Sequence, residues 1–451
     1  MKKVLLIAFY FNQTNEIASK RLRGLAKYLP RNGWEPIVVV PKLDGTNSIN
    51  EKYDFEVIET EYVDMLDKWQ NKFQISSLKK SKDSIIKNNS NIIKGTSNKT
   101  KNPGLLDKFY AKSISLAGEI FAYPDGMKYW YKPAIEASSE IIEKNNEIKG
   151  IISSSWPVTS HIIANDLKKQ FNIPWIADLR DLWNMNPYIS HNFIRNYFDK
   201  RLELETFENV DVLTTTSKLA SLKLKKLHPK AKIFPVLSGY DPEDFSEMEN
   251  NIEPEKAGQN KENILNFTYA GSLYGGKRDP SLLFEGISQL SEERKIDISK
   301  IALDFYGDSE SLEKIANEYN IRDILNIHGP IPHKDVLQRQ KESQILLLIS
   351  WNNKKEEMFI PGKFYEYLAM KRPILSIGYK EGSLKELISQ TNVGYHASTL
   401  EEIKNAFLKF YNDFISNKTI SYKGNDNVNS YSMLNTAKKF GKILDSIDNN
   451  Q

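Results

Sequence analysis

A glycine-rich turn near the middle of the chain combines backbone freedom with positive charge. The segment YAGSLYGGKRDP (269–280) has three glycines, and glycine lets the backbone approach a ligand closely. Lys277 and Arg278 add fixed positive charges, which favour phosphate oxygens. The spacing of Gly271, Gly276 and Lys277 nearly copies the phosphate loop of nucleotide hydrolases. However, Arg278 stands where that loop needs a Ser or Thr to ligate magnesium, and the G-x-G-x-x-G of nicotinamide sites is also missing here. We interpret the turn as a phosphate-binding loop of another class; an ordinary turn with exposed charges is the alternative.

A second candidate anion site begins at Pro361, in the segment FIPGKFYEYLAMKRPIL (359–375). Pro361 and Gly362 can open a helix whose free amides and positive dipole end attract an anion. Lys363 adds a charge at the same place. Glu366 follows Gly362 by one helical turn, so its carboxylate could accept hydrogen bonds from ribose hydroxyls. One short helix would then hold both halves of a nucleotide. For Glu366 taken alone, a solvated surface carboxylate is the alternative.

Polar residues also cluster at the end of an apolar run in the first half of the chain. Asp178, Arg180 and Asp181 lie at the end of this predicted strand, where one carboxylate could orient or deprotonate an incoming hydroxyl. An ion-pair network that holds the loop is the alternative. Ser19 and Arg21 open the first long predicted helix, where a helix cap and a contact to a bound anion are both open interpretations.

These residues can form sites only if the secondary structure brings together the loops that carry them. In the first half, apolar runs and helical patterns alternate, beginning with Val4 to Phe11, Ala18 to Leu29 and EPIVVV at 35–40. This order predicts a β-α-β unit. The alternation resumes over 148–216, which favours a parallel sheet with helical crossovers.

A second alternating series starts near residue 266. Its predicted strands are continuously apolar, which is typical of a sheet covered by helices on both faces. They lie at 266–271, 301–307, 324–329, 344–350, 372–378 and 393–397. In doubly wound sheets, ligands bind outside the carboxyl ends of the strands, at the point where the strand order reverses. Both candidate anion sites follow predicted strands, so we expect them at that edge.

The length and the two series predict two domains. A chain of 451 residues exceeds the ~250–300 residues at which a single core stops growing. The predicted fold class is α/β, with two Rossmann-like doubly wound domains facing a central cleft. We place an N-terminal domain at 1–240 with a flexible Lys/Asn/Ser-rich insertion at about 70–106, and a polar linker at 241–262. A C-terminal domain follows at 263–430, and a final helix at 431–451 is expected to return toward the N-terminal domain.

Composition excludes several classes of protein. The chain has no cysteine, so thiolate metal sites and disulfides are excluded. The net charge of +4 lacks the basic stripe of a nucleic-acid binder, and no nucleic-acid partner is expected. No run approaches the ~20 apolar residues that span a bilayer. The opening run VLLIAFYF is better explained as a buried strand than as a secretion signal. We therefore expect a cytoplasmic protein that could lie on the inner face of the cell membrane.

One segment concentrates positive charge. Residues 71–112 contain ten lysines against Asp83 and Asp107. Such a run would attract anionic lipids, at ~1 kcal/mol for each lysine near the surface. A solvated lysine run without a partner is the alternative.

The motifs together resemble a known enzyme family. PGKFYEYLA, the GSLYGGKR loop and FYGD (305–308) between them resemble the donor site of family-four retaining glycosyltransferases of the GT-B fold. In the first half, IASKRLRGLAKYLPRNGWEPIVVV resembles the acceptor-side opening of that family. IISSSWPVTSHIIA and IPWIADLRDLW resemble members that build bacterial surface polysaccharides. The likeness covers nearly the whole chain outside about 70–106.

The resemblance implies roles for the candidate residues. Lys277 and Arg278 would hold the donor diphosphate and stabilise it as it leaves, and Asp178 and Asp181 would be the further catalytic candidates. The implied donor-binding residues are Gly271, Ser272, Gly276, Gly307, Pro361, Gly362, Lys363 and Glu366. Ser19, Arg21 and Arg180 would lie on the acceptor side. The donor would be a nucleotide-diphosphate sugar and the acceptor a glycan or polyprenyl-linked lipid. No cofactor or metal would be needed, since no Asp-x-Asp triplet is present for magnesium.

The sequence departs from the family at two places. The family often has a Glu eight positions before the ribose-binding one, and here Met358 occupies that position with Glu357 beside it. The loop NQTNE (12–16) lacks the glycines that are frequent after the first strand. We predict a hexosyltransferase-type glycosyltransferase of bacterial surface-polysaccharide synthesis. A nucleotide-sugar epimerase of the same architecture and a non-catalytic sugar-nucleotide-binding scaffold are the alternatives.

Overall fold

The computed structural model describes residues 1–12, 17–43, 53–62, 123–189, 191–245, 263–307 and 311–448. The predicted insertion at 70–106 and most of the predicted linker lie outside these residues. The chain divides into two units, and the first combines Met1–Leu237 with Thr436–Gln451. The second unit is Ser238–Asn435.

The first unit contains a parallel sheet of seven strands in the order β3-β2-β1-β4-β5-β6-β7. The strands are β1 (Lys2–Ile7), β2 (Trp34–Pro41), β3 (Glu56–Thr60), β4 (Ile148–Ser154), β5 (Trp175–Leu179), β6 (Val212–Thr215) and β7 (Lys232–Pro235). The described helices are α1 (Ile17–Tyr28), α2 (Tyr131–Lys144), α3 (Thr159–Phe171), α4 (Phe193–Thr206) and α5 (Lys218–Leu227). The central strands are buried along most of their length because helices cover the sheet.

The last helix, α12 (Met433–Asp448), returns the chain to the first unit. The indole Nε1 of Trp34 donates to Asp445 at 3.1 Å, and Lys2 pairs with Asp448 at 2.8 Å. Leu444 is fully buried and lies against Gly150 of β4. The helix therefore completes the core of the first unit on the side of β1 and β4.

The second unit contains a parallel sheet of six strands in the order β10-β9-β8-β11-β12-β13. The strands are β8 (Leu265–Ala270), β9 (Ile301–Tyr306), β10 (Leu325–Gly329), β11 (Ile345–Ile349), β12 (Ile374–Ile377) and β13 (Gly394–Ala397). The described helices of this unit are α6 (Ser281–Glu292), α7 (Leu312–Glu318), α8 (His333–Glu342), α9 (Gly362–Met370), α10 (Ser383–Thr391) and α11 (Leu400–Asn417). The core between sheet and helices includes the stacked rings of Phe267 and Phe407, whose centroids are 4.8 Å apart.

The order of the second sheet fixes where its loops meet. From β8 the chain adds β9 and β10 on one side, then crosses back to place β11 on the other side of β8. The carboxyl ends of β8 and β11 therefore form the point where the strand order reverses, at which open α/β sheets bind ligands.

The predicted fold class is confirmed as α/β with two Rossmann-like doubly wound domains. All six strands predicted for the second half are present. In the first half the prediction missed the strands β3 and β7, which lie at the two edges of the sheet. Within the described ranges, no helix has both the length and the apolar character required to cross a bilayer.

Candidate functional site

The glycine turn and the helix that begins at Gly362 meet at the carboxyl end of β8. Gly271 follows β8 directly and has a φ of +129°. Its amide donates to the carbonyl of Tyr306 at the end of β9, at 2.7 Å. A Cβ added to Gly271 would lie 2.0 Å from the Nζ of Lys363. Glycine at this position therefore makes room for the ammonium of Lys363.

A second glycine contributes to the same close approach. Gly307 follows β9 with a φ of +117°, and a Cβ there would lie 2.6 Å from the carbonyl oxygen of Gly271. The ends of β8 and β9 are therefore held together by two residues without side chains. The structure thus brings Gly271, Gly307 and Lys363 into one cluster.

Within this cluster, the ammonium of Lys363 is a charged group that lacks a hydrogen-bond acceptor in the described part of the chain. Its Nζ is buried and has no hydrogen-bond partner among the described residues, although the rest of the side chain is partly exposed. The nitrogen lies 4.4 Å from the ring centre of Tyr269. Burial holds the pKa of Lys363 well below its ordinary value, the charge of Arg278 lowers it further, and Glu366 opposes both. An anion would supply the acceptor that this buried donor lacks.

The start of α9 adds backbone donors beside Lys363. The capping residue Pro361 makes no side-chain hydrogen bond to the first turn. The first turn of a helix has backbone amides without helical partners and carries the positive end of the helix dipole. Gly362, the first helical residue, is exposed. The helix start can therefore bind an anion together with the lysine.

Lys277 and Arg278 lie within reach of neighbouring aromatic rings. The Nζ of Lys277 is 4.7 Å from the ring centre of Trp351, which follows β11. Burial lowers the pKa of Lys277 and Glu356 opposes that effect. The guanidinium of Arg278 lies 4.1 Å from the ring centre of Tyr274. Both charges of the glycine turn are therefore placed at the reversal of strand order.

The remaining residues of the turn shape its backbone. The Oγ of Ser272 accepts from the amide of Tyr274 at 3.1 Å, and its carbonyl accepts from the hydroxyl of Tyr269 at 2.8 Å. Gly276 has a φ of +83° with open space where a Cβ would stand. A glycine is favoured at this position by the backbone conformation, not by packing.

Glu366 has a partner that the sequence analysis missed. The Nε2 of His333 lies 3.3 Å from Oε1 of Glu366, and His333 is the first residue of α8, just after β10. The segment GPIPHKDV places a polar ring directly after a strand and a proline-rich turn, and this position was the available signal. The carboxylate is thus oriented by the first residue of the neighbouring helix α8.

The position at which the family resembled by the sequence often has a Glu is occupied here by a buried methionine. Met358 is 6% exposed. The adjacent Glu357 accepts from the amide of Ser383 through its carbonyl oxygen at 2.7 Å. Gly382, with a φ of +114°, makes room for that carbonyl. The loop after β11 is therefore fixed to the loop after β12 through its backbone.

In the first unit, Asp178 lies in a buried ion pair. Its carboxylate is fully buried and accepts from Arg21 at 2.8 and 2.9 Å. The hydroxyls of Thr214 and Ser154 donate to it at 2.7 and 3.1 Å. Burial alone would raise the pKa of Asp178, but Arg21 and the two hydroxyls outweigh it and leave the pKa below its usual value. This arrangement matches the ion-pair alternative for Asp178, and Arg21 is held in the same contact.

Asp181 and Arg180 are more accessible. They pair with each other at 2.9 Å, and the side chain of Asp181 is 32% exposed. The Oγ of Ser155 donates to the carbonyl of Asp181 at 2.6 Å, which ties the ends of β4 and β5 together. Ser19 is fully buried in α1. Of the two candidate carboxylates, Asp181 is the one with access to solvent.

Among the described residues, no group of three or more His, Cys, Asp or Glu side chains is arranged to hold a metal ion.

Comparison with known proteins gives a structural likeness. No family model matches the sequence, and no curated protein matches it in a direct sequence comparison. The chain is similar in structure to sucrose-phosphate synthase from Thermosynechococcus elongatus, with 13% identity, a TM-score of 0.62 and 100% of both chains covered. It is also similar to a glycosyltransferase from Rickettsia africae ESF-5, with 15% identity, a TM-score of 0.60 and 100% and 99% of the two chains covered. A third similar structure is HepE from Anabaena in complex with UDP and glucose, with 10% identity, a TM-score of 0.53 and 100% and 98% covered. At these identities the likeness shows the fold, which is the GT-B fold.

Proposed function

We propose that this protein is a glycosyltransferase that takes a sugar from a nucleotide-diphosphate donor bound in the second unit. One observation carries the proposal. The buried ammonium of Lys363 has no hydrogen-bond acceptor among the described residues and lies against Gly271, where the strand order reverses. A diphosphate is an anion of the right kind for this position, because it can accept from the ammonium and from helix amides together.

The other candidate residues fit the rest of a nucleotide. Glu366 lies one turn into α9 and would accept hydrogen bonds from the ribose hydroxyls, with His333 holding its carboxylate. The Anabaena neighbour was solved with UDP and glucose, which supports a uridine diphosphate sugar as the first donor to test.

The proposed chemistry is transfer of the sugar between two oxygen atoms. The bond between the anomeric carbon and the diphosphate oxygen breaks, and its electron pair leaves with the diphosphate. Lys277, Arg278 and Lys363 would stabilise that charge, which is usually the largest single contribution to catalysis. The acceptor oxygen bonds to the anomeric carbon and loses its proton, either to the departing phosphate or to Asp181. The family resemblance favours the first route, with retention of configuration and without a metal.

The resemblance to members that build bacterial surface polysaccharides favours a glycan or polyprenyl-linked acceptor, encountered at the inner face of the membrane. The lysine-rich run that suggested a membrane partner lies outside the described residues.

Donor binding is the first test. We expect UDP to raise the melting temperature, because a ligand that binds only the native state stabilises it. Glu366→Ala should weaken UDP binding about tenfold, by ~1.4 kcal/mol, in isothermal titration calorimetry. Glu313→Ala, on the exposed surface of α7, is the matched control. Unchanged UDP affinity in Glu366→Ala would remove the ribose assignment.

Turnover separates the proposed activity from its rivals. The protein is incubated with a labelled nucleotide sugar and extracted lipid acceptor. Transfer of label to the lipid supports a glycosyltransferase. Epimerised free donor without transferred label would identify an epimerase, and binding without either product would identify a scaffold.

A further inference from the structure

An exposed apolar row lies on α4 of the first unit. Phe193 is 82% exposed and Tyr197 is 64% exposed. Ile194 and Phe198, on the same side of the helix, are also exposed. Four exposed large apolar side chains within two turns form a patch of the kind that marks an interaction surface.

A basic cavity borders this row. It has a volume of about 640 Å³ and is lined by Asn184, Met185, Ile189, His191, Asn196, Lys200, Lys223, Lys226 and Leu227. Residues three and four apart are neighbours on a helix, so the row of Asn196 and Lys200 runs directly beside the row of Phe193 and Tyr197. The apolar patch and the cavity are therefore one continuous surface.

The charge of the neighbouring segment has one sign. Residues 218–234, which include α5 and most of β7, contain six lysines and no acidic residue. Within that segment Leu222 and Phe234 are exposed as well. A surface that combines these lysines with exposed apolar side chains suits a partner that is anionic and apolar at once.

We propose that the α4–α5 surface docks on an anionic phospholipid bilayer. The aromatic row of α4 would enter the interfacial region, where aromatic side chains are favoured. A lipid phosphate would occupy the cavity between Lys200, Lys223 and Lys226, and the remaining lysines of 218–234 would face the head groups. The inference extends the membrane partner of the proposed function but rests on different residues. Its test uses no sugar nucleotide, so the two proposals can fail separately.

The buried side of the cavity is already organised. The carboxylate of Glu203 is fully buried, lies 3.2 Å from Nε2 of His228 and accepts from the side chain of Asn184. A neighbouring indole nitrogen, Nε1 of Trp156, is buried without a hydrogen-bond partner among the described residues. Trp156 lines a smaller cavity that shares Asn184, Ile189, His191 and Asn196 with the first. Of the groups just described, Asn184 lines the larger cavity, and the buried carboxylate of Glu203 holds its side chain there.

Vesicle cosedimentation of the full chain tests the proposal. We expect the protein to bind vesicles of phosphatidylcholine mixed with phosphatidylglycerol, not vesicles of phosphatidylcholine alone, and to bind less as salt is added. Lys223→Gln/Lys226→Gln should lower binding about thirtyfold, since each surface lysine contributes roughly a fivefold factor. Phe193→Ser/Tyr197→Ser should lower binding to the same vesicles. The matched control is Lys132→Gln/Lys144→Gln on α2, which contacts β2 and β3 at the opposite edge of the sheet.

Four results would overturn the proposal. These are equal binding to neutral vesicles, no binding to anionic ones, and the same loss of binding in the α2 control as in Lys223→Gln/Lys226→Gln. The fourth is that Phe193→Ser/Tyr197→Ser changes the stability or the oligomeric state of the protein in the absence of lipid. A lower melting temperature without lipid would show that another part of this chain covers the α4 face. Loss of a dimer in analytical ultracentrifugation would assign that face to a second copy.

Discussion

Each unit buries the charged end of a basic side chain near the carboxyl end of its sheet, but the two charged groups have different surroundings. In the first unit, Arg21 makes two hydrogen bonds to Asp178, and the carboxylate also accepts from two hydroxyls. In the second unit, the Nζ of Lys363 is buried with no hydrogen-bond partner among the described residues. A buried charge with a complete set of partners holds structure together. A buried charge without one costs stability, which is reasonable where a ligand supplies the missing partner.

The largest expected effect breaks the satisfied pair. Arg21→Met should lower the free energy of unfolding by about 3–5 kcal/mol, because Asp178 would remain as an uncompensated buried charge. Urea denaturation followed by circular dichroism measures the change. Arg201→Gln removes an exposed charge that pairs with Glu205 and should leave stability nearly unchanged. If both variants behave alike, the Arg21 pair does not have the structural role given to it.

The next effect concerns catalysis in the second unit. Lys277→Ala should lower kcat by about 10²–10³-fold, because a preorganised charge that stabilises the leaving group is lost. Steady-state transfer of a labelled sugar measures the change. Lys314→Ala, on the exposed surface of α7, is the control. A rise in KM with kcat unchanged would instead assign Lys277 to binding the donor equally in the ground state and the transition state.

Lys363→Met should have the opposite effect on stability from Arg21→Met. Removing a buried donor that lacks an acceptor should raise the free energy of unfolding of the free protein by about 1–3 kcal/mol. UDP binding should weaken in the same variant. Urea denaturation and calorimetry give the two numbers. A destabilised variant would mean that Lys363 has a structural role like that of Arg21.

The smallest expected effect is a change of affinity with pH. Because the pKa of Lys363 is lowered in the free protein, a bound diphosphate should raise that pKa. UDP binding should therefore be accompanied by uptake of part of a proton by Lys363. The affinity for UDP should then fall as pH rises from the lowered pKa toward the ordinary value of 10.5, by at most about tenfold per pH unit. Over that window the stability of the free protein should rise with pH, because the unfolded chain binds more protons there.

Calorimetry in buffers of different ionisation enthalpy measures this proton uptake directly. Lys363→Met should lose the part of the uptake that belongs to the lysine. Equal uptake in the variant and the original protein would show that another group titrates.

The sequence predicted the central strands of both sheets but missed the two edge strands of the first sheet. Central strands such as β8 and β11 are covered on both faces, so they are continuously apolar and easy to identify. Strands β3 and β7 lie at the edges of their sheet, and KIFP and EVIET are mostly exposed or half-buried. Short edge strands carry charged residues, and their pattern resembles that of loops.

In the candidate site, the contiguous motifs could be predicted from the sequence, whereas the contacts between distant segments could not. The glycine turn and the start of α9 were found because each is a contiguous motif. The contact of Lys363 with Gly271 and that of His333 with Glu366 join segments far apart in sequence. Spacing alone cannot reveal such contacts. The pairing of Asp178 with Arg21 spans 157 positions, which is why the sequence left its structural and catalytic interpretations open.

A single cut in the gene cannot separate the two units. Because Thr436–Gln451 belongs with Met1–Leu237, the second unit is encoded as an insertion inside the first. A fragment that stops at Leu237 would leave Trp34 and Gly150 without the helix that covers them. The segment 238–435 is continuous in the sequence, whereas the first unit requires a splice that rejoins its two ends.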